Sequence, residues 1–337
     1  MRRPSLEHLC CPDCRGALEW APGDGETPAR CASCGRIFPY SRRVLCLTPK
    51  SADSASQNTV EQFGNSWSAH EYLAPYQEKQ FLDWILPLTE EDFQGKAILE
   101  AGCGKGRHSF LMAGYEPESL TCVDLSDAIF TAADYTKAFP RVRCVRADLS
   151  SLPVQPESQD VVICLGVLHH LPDPEAGLVE LWKALRPGGT LCLWVYGREG
   201  NGWVVALVDP IRRGITSRIP TKVLRPLLLP LTLVLYTLLK LLYGPVTHQG
   251  SQGVSWLPYS AYLGYISRFP FREIEHIVLD HLCPPIAHYL DRPTLERWFG
   301  PLGAGELSFR WHNRNSWNIV ARKATAMHSR QAHDPEA

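Results

Sequence analysis

The sequence predicts an α/β fold, a mostly parallel sheet with helices on both faces, preceded by a small cysteine-rich module and carrying a late helical insertion. Three observations carry this. Between residues 96 and 197, short apolar, β-branched runs alternate with helical patterns, which implies βαβ units. The first 50 residues hold two Cys-x-x-Cys pairs and almost no helical periodicity. From 198 to 292 the rhythm breaks, and it resumes only in a short terminal segment.

Composition is that of a globular chain. Of 337 residues, 45% are hydrophobic and 20% charged, with a formal net charge of -1, so no overall basicity argues for nucleic acid. Arg2 and Arg3 are not followed by an apolar stretch or a small-residue cleavage site, which reads as a cytoplasmic protein. Cysteines set singly in apolar runs, such as Cys164 after Val161-Val162-Ile163, read as reduced, buried small hydrophobes.

Residues 1–50 form the first unit. Cys11, Cys14, Cys31 and Cys34 make two knuckles whose four thiolates suit tetrahedral zinc, and so few apolar residues require a metal to fold. Cys10 breaks the two-residue spacing and Cys46 has no partner at it. A redox dithiol explains one such pair, but two outside a thioredoxin-like βαβ unit point to zinc. Residues 51–95 follow as a linker and N-terminal helices, with a helical pattern at Tyr76–Leu86. Within them, Gln62, Phe63 and Trp67 are either a flap over the site or a surface helix.

Residues 96–197 form the core. Strands are expected at Ala97–Glu100, Leu120–Asp124, Val142–Ala147, Asp160–Leu165 and Thr190–Val195, and helices at Arg107–Ala113, Asp127–Ala138 and Glu175–Leu185. The first strand runs into Glu100-Ala101-Gly102-Cys103-Gly104-Lys105-Gly106. Glycines there allow a tight turn and close approach of a ligand at the C-terminal edge of the sheet. Asp124 ends the second strand, where a carboxylate can accept from ribose hydroxyls. Loop and acid together still fit two cofactors, NAD and S-adenosylmethionine. The acidic Glu100 suits a cationic amino-acid end better than a diphosphate. Asp148, after the third strand, is placed to accept from an adenine amine, and Pro187-Gly188-Gly189 turns into the fifth strand.

Taken in order, Ile98–Gly106, Val123–Ser126, Ala147–Leu149, Asp160–Pro172 and Leu185–Gly189 resemble the motifs of class I S-adenosylmethionine-dependent methyltransferases. The resemblance implies a Rossmann-like, seven-stranded sheet whose last strand is antiparallel. It also implies cofactor contacts from Gly102, Cys103, Gly104, Gly106, Asp124, Leu125, Asp148, Leu149 and Leu165, with Glu100 near the amino-acid end. The stretch Leu9–Pro49 resembles the small zinc-ribbon proteins that activate methyltransferases as partners, here fused in cis; a nucleic-acid-binding ribbon is the runner-up, and its charge balance is too mild to decide.

His169 and His170, delivered by the fourth strand, are candidate general bases, with packing roles as the alternative. Tyr196 lies at the same mouth.

In the insertion, Pro210 to Arg272 contains no Asp or Glu and carries +8, which leaves -9 for the rest of a -1 chain. Fourteen uncharged residues, Pro226–Leu239, span about 21 Å, too short for a bilayer core. On a helical wheel Thr232, Tyr236, Thr237, Lys240 and Tyr243 share an arc and leucines fill the rest. Residues 212–243 therefore read as a helix in a membrane interface, a lid, or a helix buried against the body or a dimer partner. Residues 293–323 complete the core with a hairpin, Leu307–Trp311 and Ser316–Val320, and 324–337 read as a disordered tail.

The expected function is transfer of a methyl group from S-adenosylmethionine to a small-molecule or lipid-like acceptor. RNA or protein methylation is disfavoured, since Gly166-Val167-Leu168-His169 stands where an Asn/Asp-Pro-Pro-Tyr type of tetrapeptide is often found. A non-catalytic scaffold recruiting a partner through the ribbon is the remaining alternative.

Overall fold

The computed structural model of the chain describes residues 4–23, 26–50, 75–244, 257 and 259–325. The proposed flap residues Gln62, Phe63 and Trp67, and most of the C-terminal tail, lie outside these.

The N-terminal module holds β1 (Leu18–Trp20), β2 (Ala29–Cys31) and β3 (Ile37–Phe38), a three-stranded sheet, and then β4 (Tyr40–Ser41) and β5 (Val44–Cys46). The core strands are β6 (Ala97–Ala101), β7 (Ser119–Asp124), β8 (Val142–Arg146), β9 (Gln159–Leu165), β10 (Leu185–Tyr196), β11 (Ala304–His312) and β12 (Ser316–Lys323). In the large sheet they run β11-β12-β10-β9-β6-β7-β8-β5-β4. This corrects the expected strand number. Seven strands come from the core, but the sheet has nine, because β5 pairs in parallel with β8, Val44 opposite Cys144, and brings β4 with it. An open edge at β8 would otherwise expose a row of backbone donors and acceptors.

Alternation explains the layers. On β6, wholly buried, Leu99 and Ala101 belong to one core and Ile98 to the other. The Ile98 face is covered by α1 (Pro75–Ile85), α2 (Arg107–Gly114) and α3 (Ala128–Tyr135), through Phe81, Ile85, Met112, Ile129 and Ala132. The Leu99 face is covered by α4 (Pro174–Ala184), through Leu178, Leu181 and Trp182, and by residues of the N-terminal module such as Leu9, Leu18 and Phe38. β10 starts earlier than expected, at Leu185, with the Pro-Gly-Gly segment as an irregularity in its pairing with β9 between Leu185 and Thr190.

The insertion leaves at Gly197 and returns at Leu290, where the two segments bridge each other. It contains α5 (Asp209–Gly214), α6 (Thr221–Leu238), α7 (Ser260–Ile266) and α8 (Phe271–Leu282); α9 (Arg292–Phe299) follows. α6 passes through Pro226 and Pro230 and continues as a wider helical turn, Leu239–Tyr243. The expected 21 Å is thus corrected. Helix starts before the uncharged run and ends after it, so Thr221–Tyr243 spans 23 residues and contains an 18-residue stretch with a mean hydropathy of 1.7, long and apolar enough by length and composition to cross a membrane.

The orientation of α6 is the reverse of a helix buried by its apolar side. Thr221, Leu224, Thr232, Leu239 and Tyr243 face inward, while Leu227, Leu231, Leu233, Leu238, Leu241 and Leu242 are exposed. α6 packs on α8 with Leu224 against Leu279 and Cys283, and Arg225 gives Glu275 a two-pronged bond at 2.8 and 2.9 Å. Thr232 satisfies its hydroxyl on the Leu228 carbonyl at 2.9 Å, and Lys240 caps the carbonyls of Ser267 (2.6 Å) and Phe269 (3.1 Å). Thr232, Lys240 and Tyr243 of the polar arc thus lie toward the body while Thr237 is exposed, and Lys240 finds backbone partners outside its own helix.

Candidate active site

β6 ends and the chain turns back on itself. Gly102 N and Cys103 N both donate to the Val123 carbonyl, at 2.7 and 3.0 Å, which ties the loop to the end of β7. Gly104 N then donates to Asp124 Oδ2 at 2.8 Å. Gly104 has φ +53° and Gly106 φ +82°, left-handed conformations that cost an L side chain energy. Their surroundings differ. A Cβ on Gly106 would lie 2.9 Å from the Ala132 backbone in α3, whereas one on Gly104 would meet nothing within 4 Å.

That open space is part of a cavity of about 250 Å³ bounded by the loop, the ends of β7 to β10, and the insertion. Of the residues expected to contact cofactor, Gly102, Cys103, Gly104, Asp124, Leu125, Asp148, Leu149 and Leu165 line it. Gly106 is not among the lining residues, since it is occupied by its packing on α3. Nor is Glu100, which is buried below, taking a hydrogen bond from Ser109 and lying 3.6 Å from His108 Nδ1. His108, Lys105 and Arg107 line the wall in its place. Burial, helped by Arg107, pushes the Lys105 ammonium down to about 8.

Asp124 is more committed than a free carboxylate. Besides Gly104, Ser126 donates to it through its N–H (2.8 Å) and hydroxyl (2.6 Å), and burial nonetheless raises its pKa. With about four acceptor sites on a carboxylate, one remains. Asp148 takes both bonds of Ser150 on Oδ1, the N–H at 2.9 Å, which leaves Oδ2 for the cavity.

The histidine pair splits. His170 lines the cavity, and its Nδ1–H donates to the Ile286 carbonyl at 2.7 Å, so Nε2 is the acceptor of the neutral ring. Burial lowers its pKa to about 4. His169 does not line the cavity; it is fully buried, with its ring 4.0 Å from that of Tyr196, and neither ring nitrogen has a hydrogen-bond partner among the described residues.

Sequence reasoning missed the far wall. Tyr262, Tyr265, Ile266 and Phe269 from α7 and the turn after it, and Glu273, His276, Ile277, Asp280 and His281 from α8, line the same cavity. Glu273 joins the two sides, accepting from Tyr76 at 3.1 Å and pairing with Arg107 at 3.5 Å. The signal was present in the α8 sequence. Glu273, His276 and Asp280 fall at i, i+3 and i+7, one helical face, opposite Ile274, Val278 and Leu279. Trp84 and Trp194 stack at 4.5 Å in another wall of the chamber.

The second cluster lies in the N-terminal module. The sulfurs of Cys11, Cys14, Cys31 and Cys34 lie within 4.8 Å of one another. The separations of 3.7 Å (Cys11 to Cys34) and 3.5 Å (Cys14 to Cys31) approach the edge of about 3.8 Å that a tetrahedron with Zn–S bonds of about 2.3 Å requires. The module abuts the site. Ser151, in the turn after Asp148, donates to the Pro12 carbonyl at 3.1 Å, Cys10 N donates to Pro153 O at 3.0 Å, and Arg15 pairs with Glu180 at 2.6 Å.

Residues 99–193 match the methyltransferase domain family, so the chain carries an enzyme domain of that kind. A tRNA U34 carboxymethyltransferase of Nautilia profundicola is 29% identical over 125 residues, 36% of this chain and 42% of that protein. A phthiotriol/phenolphthiotriol dimycocerosates methyltransferase of Mycobacterium leprae is 38% identical over 104 residues, 31% of this chain and 38% of that protein. The chain thus spans less than half the length of these curated relatives. Among solved structures, magnesium protoporphyrin IX methyltransferase from Synechocystis with bound SAM superposes with a TM-score of 0.45 and 12% identity, over 82% of this chain and 100% of that one.

Proposed function

We propose that the protein is an S-adenosylmethionine-dependent methyltransferase acting on a small-molecule or lipid-like acceptor, with zinc held in its N-terminal module. The observation that carries the reading is the single cavity: a glycine loop with Asp124 and Asp148 on one side, an aromatic chamber roofed by the insertion on the other. Gly104 leaves room for a ligand where any side chain would stand, and Asp148 offers a carboxylate oxygen at the end of the strand next to Asp124. Asp124 would take a ribose hydroxyl at its remaining acceptor site, and both hydroxyls only if a bond such as that from Gly104 opens. Lys105 and Arg107 line the cavity as cations that would attract a carboxylate. The donor supplies a methyl group already activated on a sulfonium. What the protein adds is alignment of the acceptor and exclusion of water.

The apolar acceptor is favoured by the chamber walls and by the outer face of α6. Leu227, Leu231, Leu233, Leu238, Leu241 and Leu242 present an apolar strip larger than scattered surface leucines, next to Arg213, Arg218 and Lys222 in a segment without acids. That combination suits a helix lying on an anionic bilayer, from which a lipid-like acceptor is drawn.

The test has two arms. Calorimetry should show S-adenosylmethionine binding that Asp124→Ala weakens at least tenfold; equal affinity would remove the ribose role. Transfer of labelled methyl into fractionated cell extract should label the lipid or small-molecule pool. Label confined to RNA, as the tRNA-directed relative would suggest, or to protein, would overturn the acceptor class, and binding without any label would favour a scaffold.

A further inference from the structure

The chamber side of the cavity contains polar atoms that the fold leaves without partners. Among the described residues, Asp280 Oδ1, His281 Nδ1 and Trp194 Nε1 are each buried with no hydrogen bond, and all three side chains line the cavity. A buried polar atom left unpaired costs about 1–3 kcal/mol, so such a group clustering where a ligand fits marks what the ligand must offer. Asp280 is the one that carries chemistry. Its other oxygen, Oδ2, lies 3.5 Å from His276 Nε2, one helical turn back, too long for a hydrogen bond, so Oδ1 is the oxygen turned to a ligand. A carboxylate oxygen without a donor asks for one.

The walls beside it are flat. Tyr196 stacks on His281 with ring centres 5.4 Å apart at 23° and on Tyr289, which does not line the cavity, at 5.6 Å and 20°, while Tyr262 and Tyr265 of α7 line it. Aromatic walls of this kind take a planar aromatic group by offset-stacked or edge-to-face contact.

Resting on the methyltransferase reading, we infer that Asp280 is the general base of the transfer and that the acceptor is a phenol. The acceptor hydroxyl donates to Asp280 Oδ1. As the phenolic oxygen bonds the methyl carbon, the carbon–sulfur bond breaks with its electron pair remaining on sulfur, and the hydroxyl proton passes to the carboxylate. The products are an aryl methyl ether, a neutral thioether and a protonated Asp280, which returns its proton to solvent.

Asp280 is faced by Glu273 and His276 of its own helix, by Arg107 of α2, by Tyr196 of β10 and by Tyr262 of α7. Burial, then the Glu273 charge, raises it to about 8, against a smaller lowering by Arg107. A base of that strength is far better matched to a phenol than an ordinary carboxylate.

The test uses the full chain with 4-dodecylphenol and its methyl ether in mixed micelles. Tryptophan fluorescence, which Trp84 and Trp194 should report, measures binding; labelled S-adenosylmethionine measures transfer. The phenol is expected to bind at least tenfold more tightly than the ether, a preference that Asp280→Leu reduces to threefold or less. Asp280→Asn is expected to slow ether formation at least 100-fold, with S-adenosylmethionine affinity and melting temperature unchanged. Wild-type rate should rise with pH through about 8, and that rise should vanish in the Asn variant. Equal binding of phenol and ether by the wild type, no ether formed while S-adenosylmethionine binds, or an Asp280→Asn rate within threefold of wild type would each overturn the proposal. Failure of the wild type to bind S-adenosylmethionine would instead remove the methyltransferase reading beneath it.

Discussion

Gly104 and Gly106 offer a sharp test because the same substitution should do different things two residues apart. Both have positive φ, so alanine at either costs about 1–2 kcal/mol in the folded state. At Gly106 the new methyl also falls 2.9 Å from the Ala132 Cα and 2.8 Å from its Cβ, so α2 and α3 must separate, and overpacking of this kind adds about 1–3 kcal/mol. Gly106→Ala should therefore lose about 2–5 kcal/mol. Gly104→Ala has nothing within 4 Å to push against and should lose only the backbone part. Its methyl stands in the cavity, however, and should weaken S-adenosylmethionine at least tenfold. Urea denaturation and calorimetry on the two variants separate the effects. If Gly104→Ala binds S-adenosylmethionine as tightly as wild type, or is destabilised as much as Gly106→Ala, then the loop does not face the ligand in the way the open space implies.

The zinc and the helix face are tested separately. Purified protein should carry one zinc per chain, released by Cys31→Ser, and the metal-free protein should melt at lower temperature. Because the module contacts the turn after Asp148 through Ser151 and Pro12, S-adenosylmethionine affinity should fall as well; a metal-free protein of unchanged affinity would sever that link. On α6, Leu227→Gln, Leu231→Gln and Leu238→Gln together should reduce co-sedimentation with vesicles of anionic lipid by about 100-fold, taking about 1 kcal/mol for each half-exposed leucine that inserts. Melting temperature should not fall, since none of the three is buried. Vesicle binding unchanged by the triple substitution would show that the leucines do not meet the bilayer.

What the sequence made legible was local. A β-branched run ending in glycines and followed by 3.6-residue periodicity announces strand, loop and helix within about twenty residues, so β6, the loop and α2 could be read directly, as could Asp124 and Asp148 at strand ends. What remained hidden depends on long-range pairing. Val44-Leu45-Cys46 is only three residues long, and nothing nearby shows that Val44 will lie opposite Cys144. Glu100 looked like a cofactor ligand from its place in the loop, yet Ser109, nine residues on, takes its carboxylate. α6 misled in another way. Its polar arc would ordinarily be the solvent side, but Lys240 finds the Ser267 and Phe269 carbonyls within the protein, Thr232 is satisfied by its own helix, and most of the leucines are left outside.

That inversion bears on how an acceptor reaches the donor. α8 has two working faces: Leu279 and Glu275 hold α6, while Glu273, His276 and Asp280 line the cavity. The exposed leucines of α6 are thus separated from the chamber by little more than one helix, about 10 Å. A lid without chemistry would need only apolar residues on its inner side, and a mere membrane anchor would need no polar stripe on the helix behind it. The insertion has both, with Asp280 facing the cavity and leucines facing out. A long apolar tail lying along α6 and a reactive ring entering beside α8 would satisfy both faces at once.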